Sequence, residues 1–114
     1  MMTVYGLPQC STVKKARDWL DARGLTYHFH DYKKHGVPET LLDAWIAAFG
    51  WETVINRRGT SWRGLPETVR TAMDAAGAKA AARQNPSLIK RPVLVTENTT
   101  LIGFDPESWH KALS

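Results

Sequence analysis

The fold is decided first by residues 3–20, which read TVYGLPQCSTVKKARDWL. The short apolar run at residues 3–5 is followed by a glycine and a proline, so it predicts a strand that leaves into a turn. A helix is expected next, because apolar residues then recur at helical spacing and Ser11 or Thr12 can cap it. Cys10 therefore stands where the turn meets the helix.

A second strand is predicted at residues 27–32, where aromatic residues alternate with polar ones. A helix-length segment that ends at Arg23-Gly24 separates this strand from the first one. Two strands joined through a helix are typically parallel and connected by a right-handed crossover. The chain is therefore expected to open with a βαβ unit.

The middle of the chain predicts helices and one irregular segment. Pro38 begins a helix with a broad apolar stripe that closes at Gly50. Residues 54–64 are irregular and basic, a second helix is expected from Pro66 to Gly77, and a third, short one at residues 78–84.

The last third returns to strands. Residues 93–95 and 101–104 form two short apolar runs on either side of a polar loop, which predicts an antiparallel hairpin. Asp105 then caps a closing helix whose first residue is Pro106. The order is that of a thioredoxin-like α/β fold, a mixed four-stranded sheet flanked by helices. We expect one domain over residues 1–114, with a helical insertion at about residues 36–88.

Composition limits the partners that this chain can have. With 114 residues and a net charge of +4, it fits one modest domain that suits small anionic ligands better than nucleic acid. It lacks both an apolar run long enough to cross a membrane and an export signal. We therefore expect a cytoplasmic protein that binds neither membranes nor nucleic acid.

Cys10 is the only cysteine, so a disulfide within the chain is excluded. The free N–H groups at the start of a helix stabilise a thiolate, and Lys14 and Lys15 add positive charge nearby. This position favours a reactive nucleophile. The alternative is a small buried residue at a strand–helix corner.

Arginines and a proline supply the other candidate site residues. Arg91-Pro92 precedes the third strand, where Pro92 is either a cis-proline or an ordinary proline at a strand start. Arg57 and Arg58, with Arg63, can hold a carboxylate or oxyanion, or simply form a solvated basic loop.

Two weaker signals concern metals and aromatic residues. His28 and His30 share one face of the second strand, but without another ligand pair they do not predict a metal site. Trp62, inside the basic segment, either stacks on a ligand or anchors its loop. We expect no bound metal or cofactor.

Four motifs in order resemble the arsenate reductase/Spx-like family, and most closely its YffB-like branch. They are GLPQCSTVKKA at residues 6–16, HDY at 30–32, NRRGT at 56–60 and IKRP at 89–92. The resemblance implies a thioredoxin-type fold with a helical insertion. It also implies a catalytic cysteine at Cys10 and a cis-proline at Pro92.

The resemblance also implies a chemistry. In members that reduce arsenate, the cysteine attacks the oxyanion, arginines hold it, and glutathione with glutaredoxin resolves the adduct. Arg91 matches one of those arginines, whereas the others fall at Asn56 and near Phe104, and a histidine of those reductases falls at Gly6. Spx-type regulators carry a second cysteine where this chain has Val13.

Three hypotheses follow. The first is a glutathione-dependent thiol oxidoreductase with Cys10 as nucleophile and an external resolving thiol. In this hypothesis, Ser11 and Thr12 stabilise the thiolate. The anionic substrate is bound by Arg57, Arg58 and Arg91, with Pro92 beside them in the sequence. The expected partners of such an oxidoreductase are glutathione and also glutaredoxin, which resolves the adduct in the arsenate-reducing members. The second is arsenate reduction proper, and the third is a non-enzymatic regulator that binds RNA polymerase.

Overall fold

The computed structural model describes all residues from Met1 to Ser114 and divides them into two compact units. The first unit combines Met1–His35 with Arg91–Ser114, and the second is Gly36–Lys90. None of the helices is long and apolar enough to cross a membrane.

The chain forms four strands, eight helices and one 3-10 turn. In chain order they are β1 (Met2–Gly6), α1 (Ser11–Ala22), β2 (Tyr27–Asp31), α2 (Tyr32–His35), α3 (Glu39–Phe49), α4 (Trp51–Val54), α5 (Thr60–Arg63), α6 (Glu67–Thr71), α7 (Ala75–Gln84), the 3-10 turn Pro86–Leu88, β3 (Val93–Val95), β4 (Thr100–Ile102) and α8 (Pro106–Leu113).

The sheet of the first unit has the order β2-β1-β3-β4. β1 and β2 are parallel, with Gly6 opposite Asp31 as the last pair, which confirms the predicted βαβ arrangement. β3 runs antiparallel to both β1 and β4, so the predicted hairpin is also confirmed. The result is a mixed four-stranded sheet with helices, as expected for a thioredoxin-like α/β fold.

The core of the first unit is formed where α1 and α8 pack against the sheet. Its fully buried members are Val4, Ala16, Leu20, Leu94 and Trp109. They come from β1, α1, β3 and α8, so the unit is held together by elements from both ends of the chain. Burying this apolar surface is the main source of its stability.

The N-terminus of α1 differs from the prediction. Ser11 and Thr12 lie inside the helix, and Cys10 is the N-cap residue, with extended backbone angles of φ −72° and ψ 124°. The N–H of Cys10 donates to the Leu7 carbonyl at 3.1 Å, which closes the turn one residue earlier than the hydroxyl side chains suggested.

The second unit is helical, and α7 packs against α3, α4 and the 3-10 turn. The predicted helix over residues 38–50 is confirmed as α3. The predicted helix from Pro66 to Gly77 is wrong: α6 ends at Thr71, and Gly77 lies inside α7. The reason is Asp74, whose carboxylate accepts a hydrogen bond from the Gly77 N–H at 2.8 Å and caps α7.

The basic segment is also more ordered than expected, because residues 54–64 contain the end of α4 and all of α5. Ile55 forms an isolated antiparallel bridge with Ile89. The Asn56 N–H donates to the Leu88 carbonyl, and the Lys90 N–H donates to the Val54 carbonyl, each at 2.8 Å. These bonds fix both ends of a short ladder within the second unit.

Candidate functional site

Cys10 lies at the carboxyl end of β1, after a turn that begins at Gly6. Its carbonyl accepts the first bond of α1, from the Lys14 N–H at 3.0 Å. The thiol is free and only half-buried, so a substrate sulfur can approach it. This differs from a cysteine sealed in a hydrophobic corner.

The surroundings of Cys10 favour its thiolate. Burial alone would raise the pKa of the thiol, but the pKa lies below its ordinary value because three groups outweigh that effect. They are the Val13 N–H, the Arg91 guanidinium and the Thr12 N–H. The Cys10 side chain makes no capping hydrogen bond of ordinary geometry, so we attribute the effect of the two amides to their dipoles.

Arg91 and Pro92 lie immediately before β3. The Arg91–Pro92 peptide bond is cis, as the family resemblance implies. Pro92 is buried, and its carbonyl accepts the Gly103 N–H at 2.8 Å, which ties the loop to the end of β4. Arg91 is half-buried and reaches the sulfur of Cys10, so these two predicted residues meet in the first unit.

Gly6 stands where the arsenate-reducing members are expected to have a histidine, and its surroundings explain the difference. A Cβ atom at this position would stand 2.8 Å from Cγ2 of Val13, closer than real side chains approach. Val13 is fully buried in the first turn of α1. A histidine at position 6 therefore does not fit unless the Val13 side chain moves.

The third expected arginine falls near Phe104, which is partly buried against the core of the first unit. Phe104 packs with its ring 5.0 Å from that of Trp109 and 6.1 Å from that of Trp19, both edge-on. Asn56 has a structural role as well, because its Oδ1 accepts the Arg58 N–H at 3.2 Å. Neither residue offers a guanidinium to an oxyanion.

Arg57 and Arg58 lie in the second unit, in an open polar cavity of about 670 Å³. Both side chains are exposed. The loop that carries them is braced by Arg63, whose Nη1 donates to the Arg58 carbonyl at 2.6 Å. The lining residues are Glu52, Thr53, Ile55, Asn56, Arg57, Arg58, Trp62 and Lys90.

This cavity has a net positive lining and an aromatic wall. Its three cations are opposed by the single carboxylate of Glu52. The half-buried ring of Trp62 lies 6.2 Å from that of Trp51, over which the Arg57 guanidinium stacks at 5.6 Å. Lys90 was not expected here. Its position in the IKRP motif, next to Arg91, could have indicated that Lys90 belongs to a site.

The first unit also contains an aromatic cluster that was not expected from the sequence. The Tyr5 ring lies 5.0 Å from that of His30 and 6.3 Å from that of Tyr32, and the His30 ring lies 5.7 Å from that of His35. His28, in contrast, is exposed. Nowhere in residues 1–114 do three or more metal-ligating side chains form a group that could hold an ion.

Comparison with known proteins agrees with these features. The chain is 44% identical to the YffB protein over the full length of both chains, and the two structures superpose with a TM-score of 0.95. An arsenate reductase-related protein from Brucella melitensis is 42% identical, with a TM-score of 0.79 over 99% of this chain and 94% of its own. The global transcriptional regulator Spx of Streptococcus pyogenes is 27% identical over 100% of this chain and 86% of its own.

The model of the ArsC family matches residues 5–112, which include Cys10, the cis-proline and the whole of the second unit. That match spans nearly all of the sequence and supports a thiol oxidoreductase-like function. The chain belongs to the ArsC family.

Proposed function

We propose that this protein is a glutathione-dependent thiol oxidoreductase in which Cys10 is the nucleophile. The observation that carries the proposal is a half-buried thiol whose pKa is lowered by helix amides and by Arg91. A thiolate attacks disulfides and a neutral thiol does not, so these surroundings prepare Cys10 for exchange near neutral pH.

The reaction runs in two exchange steps. The Cys10 thiolate attacks the glutathione sulfur of a mixed disulfide, which forms a Cys10–glutathione disulfide and releases the substrate thiolate. A second glutathione thiolate then attacks this glutathione sulfur, which releases Cys10 as a thiolate and forms glutathione disulfide. Over both steps, the mixed disulfide and one reduced glutathione give the substrate thiol and glutathione disulfide, so one glutathione thiol is oxidised per turnover and the chain needs no second cysteine.

The basic residues would bind the co-substrate. Glutathione carries two carboxylates, and guanidinium groups hold carboxylates with paired hydrogen bonds. Arg91 is the candidate nearest the sulfur, and Ser11 and Thr12 stand beside it at the start of α1. We assign Arg57 and Arg58 to anion binding within the second unit, because their cavity is positively charged and open. Pro92 would position the backbone of Arg91. Glutaredoxin is a candidate partner for releasing the product.

Two other functions follow from the relatives. Arsenate reduction is favoured by the family and disfavoured by Gly6 and Phe104, which replace two groups expected in that chemistry. A regulatory role, through binding RNA polymerase, is favoured by the likeness to Spx. Val13, however, occupies the position of the second cysteine of a disulfide switch.

The decisive experiment is a coupled assay of glutathione-dependent disulfide reduction with the wild-type protein and with Cys10→Ser. We expect the substitution to abolish turnover and to leave the melting temperature nearly unchanged at about pH 5, where the stabilised thiolate contributes least to the wild type. Equal activity in the two proteins would refute the proposal.

The same preparation separates the alternatives. With arsenate, glutathione and glutaredoxin, we expect no rate above background. A rate that depends on Cys10 would favour arsenate reduction. Retention of RNA polymerase by immobilised protein, unchanged in Cys10→Ser, would favour the regulatory role instead.

A further inference from the structure

Tyr32 is a buried polar residue at the same edge of the sheet as Cys10. It follows Asp31, which is paired with Gly6 as β1 and β2 end. β3 is antiparallel to β1, with Val93 opposite Tyr5, so Arg91 approaches from the same edge. The turn to Cys10, the start of α2 and the loop before β3 therefore converge there.

The Tyr32 hydroxyl has an environment that does not favour a polar group. The side chain is only 2% exposed, and its ring lies 6.3 Å from that of Tyr5 and 5.9 Å from that of His30. The hydroxyl itself is sealed from solvent and has no hydrogen-bond partner within the protein. Burying a hydroxyl in this way costs stability, so phenylalanine would serve packing better than tyrosine.

The charged group that acts on this hydroxyl is Arg91. Burial raises the pKa of Tyr32, Tyr5 raises it further, and Arg91 acts in the opposite direction. The same guanidinium interacts with the sulfur of Cys10. The titratable groups around Tyr32 are thus Tyr5 from β1, His30 from β2 and Arg91 from the loop before β3, while His35 of α2 contacts His30.

We propose that Tyr32 is a positioning residue whose sealed hydroxyl oxygen holds the Arg91 guanidinium beside the sulfur of Cys10. A hydroxyl dipole shielded from water acts more strongly on a nearby cation than it would in solvent. The Tyr32 hydroxyl therefore favours the position of Arg91 beside Cys10 over a position in which the guanidinium turns out into solvent. The proposal rests on the proposed role of Cys10 and adds the residue that keeps its cation in place.

The test compares the pH profile of Cys10 alkylation by iodoacetamide in wild-type and Tyr32→Phe proteins. Cys10 is the only cysteine, so the rate reports on this thiol alone. We expect the rate at pH 7 to fall by about threefold in Tyr32→Phe, because fewer molecules carry the thiolate, with the same plateau at high pH. The melting temperature should stay equal or rise, since the variant removes only an unpaired buried hydroxyl.

Two further variants distinguish positioning from a general effect. Tyr27→Phe is the matched control, because Tyr27 begins β2, the strand that leads to Tyr32, and its hydroxyl accepts a hydrogen bond from Nε of Arg17 at 3.2 Å. We expect this variant to have the wild-type profile. In an Arg91→Gln background, Tyr32→Phe should have no further effect on the rate, as expected of residues that act through one another.

Three outcomes would overturn the proposal. They are superimposable profiles for wild type and Tyr32→Phe, additive effects of the two substitutions, and a lower melting temperature or failure to fold in Tyr32→Phe, which would give the hydroxyl a structural role. If the wild-type protein itself showed an ordinary thiol, the proposed function would fail. A wild-type profile that shows a lowered pKa of Cys10, unchanged in Tyr32→Phe, would overturn only the role of Tyr32.

Discussion

At the scale of single residues, the behaviour of Cys10 depends on three neighbours that the folded chain brings to it. Two of them, the amides of Thr12 and Val13, come from its own helix, and the third is the Arg91 guanidinium. The local pair follows from placing a cysteine at the N-cap of α1. The distant cation depends on β3 lying beside β1.

The lowered pKa of Cys10 makes a prediction for stability. A group with a lower pKa in the folded than in the unfolded state contributes stability above its ordinary pKa, and this contribution disappears as the pH falls through the folded pKa. We therefore expect the free energy of unfolding of the wild type, relative to Cys10→Ser, to increase as the pH rises from about 5 to about 9.

Urea denaturation of both proteins across this pH range measures the difference. Cys10→Ser is itself the control for all other titrating groups, since they are common to the two chains. A difference that is flat with pH, or that decreases as the pH rises, would contradict a stabilised thiolate.

At the scale of elements, the segment from α4 to α5 presents Arg57 and Arg58 without any acidic partner at ion-pair distance. Two other cations of the second unit are paired: Lys79 contacts Glu39 at 3.2 Å and Asp43 at 2.9 Å, and Arg83 contacts Glu39 at 3.3 Å. The cavity of the second unit is therefore lined by two arginines that form no ion pair.

If this segment binds the co-substrate, the double variant Arg57→Gln/Arg58→Gln should raise KM for glutathione by about tenfold, with kcat within about twofold. The reason is that both charges would act in binding and not on the reacting sulfur. Steady-state kinetics at low salt measure the effect, because screening weakens exposed charges.

Arg83→Gln is the matched control, as it removes one exposed arginine of the same unit that is already paired with Glu39. We expect its KM to match that of the wild type. An equal increase in both variants would indicate a general charge effect and would argue against a binding role for the loop.

At the scale of the whole molecule, the first unit depends on contacts between distant parts of the chain. Trp109 of α8 is fully buried, and its ring meets those of Trp19 from α1 and Phe104 at the end of the hairpin. Its Nε1 donates to the Gly103 carbonyl at 3.1 Å. Through Trp109, the last helix therefore packs against both α1 and the end of the β3–β4 hairpin.

Trp109→Ala should lower the free energy of unfolding by about 3–5 kcal/mol, the usual cost of removing a large buried aromatic side chain. Urea denaturation followed by far-UV circular dichroism measures it. Val69→Ala serves as the control, since Val69 is 43% exposed. It should change stability by less than about 0.5 kcal/mol. Similar losses in the two variants would contradict the central role of Trp109.

Much of the architecture follows from local sequence signals. The parallel pair β1–β2, α3 with its end at Gly50, the β3–β4 hairpin and the closing helix α8 were all expected from periodicity and turn residues. The prediction failed around Gly77, where the capping carboxylate of Asp74 determines where α7 starts, although glycine usually marks the end of a helix.

By itself, the sequence determined that one cysteine stands at a strand–helix corner, that no internal disulfide can form, and that Arg91-Pro92 precedes a strand. These features depend on neighbours along the chain, so local chemistry is enough to infer them. Only the tertiary structure decided that Arg91 reaches the sulfur of Cys10 and that Phe104 packs against the core. Only the folded chain, too, shows that Gly6 faces Val13 and that the Tyr32 hydroxyl is sealed. Such facts arise from contacts between residues far apart in sequence, and no local pattern encodes their distances.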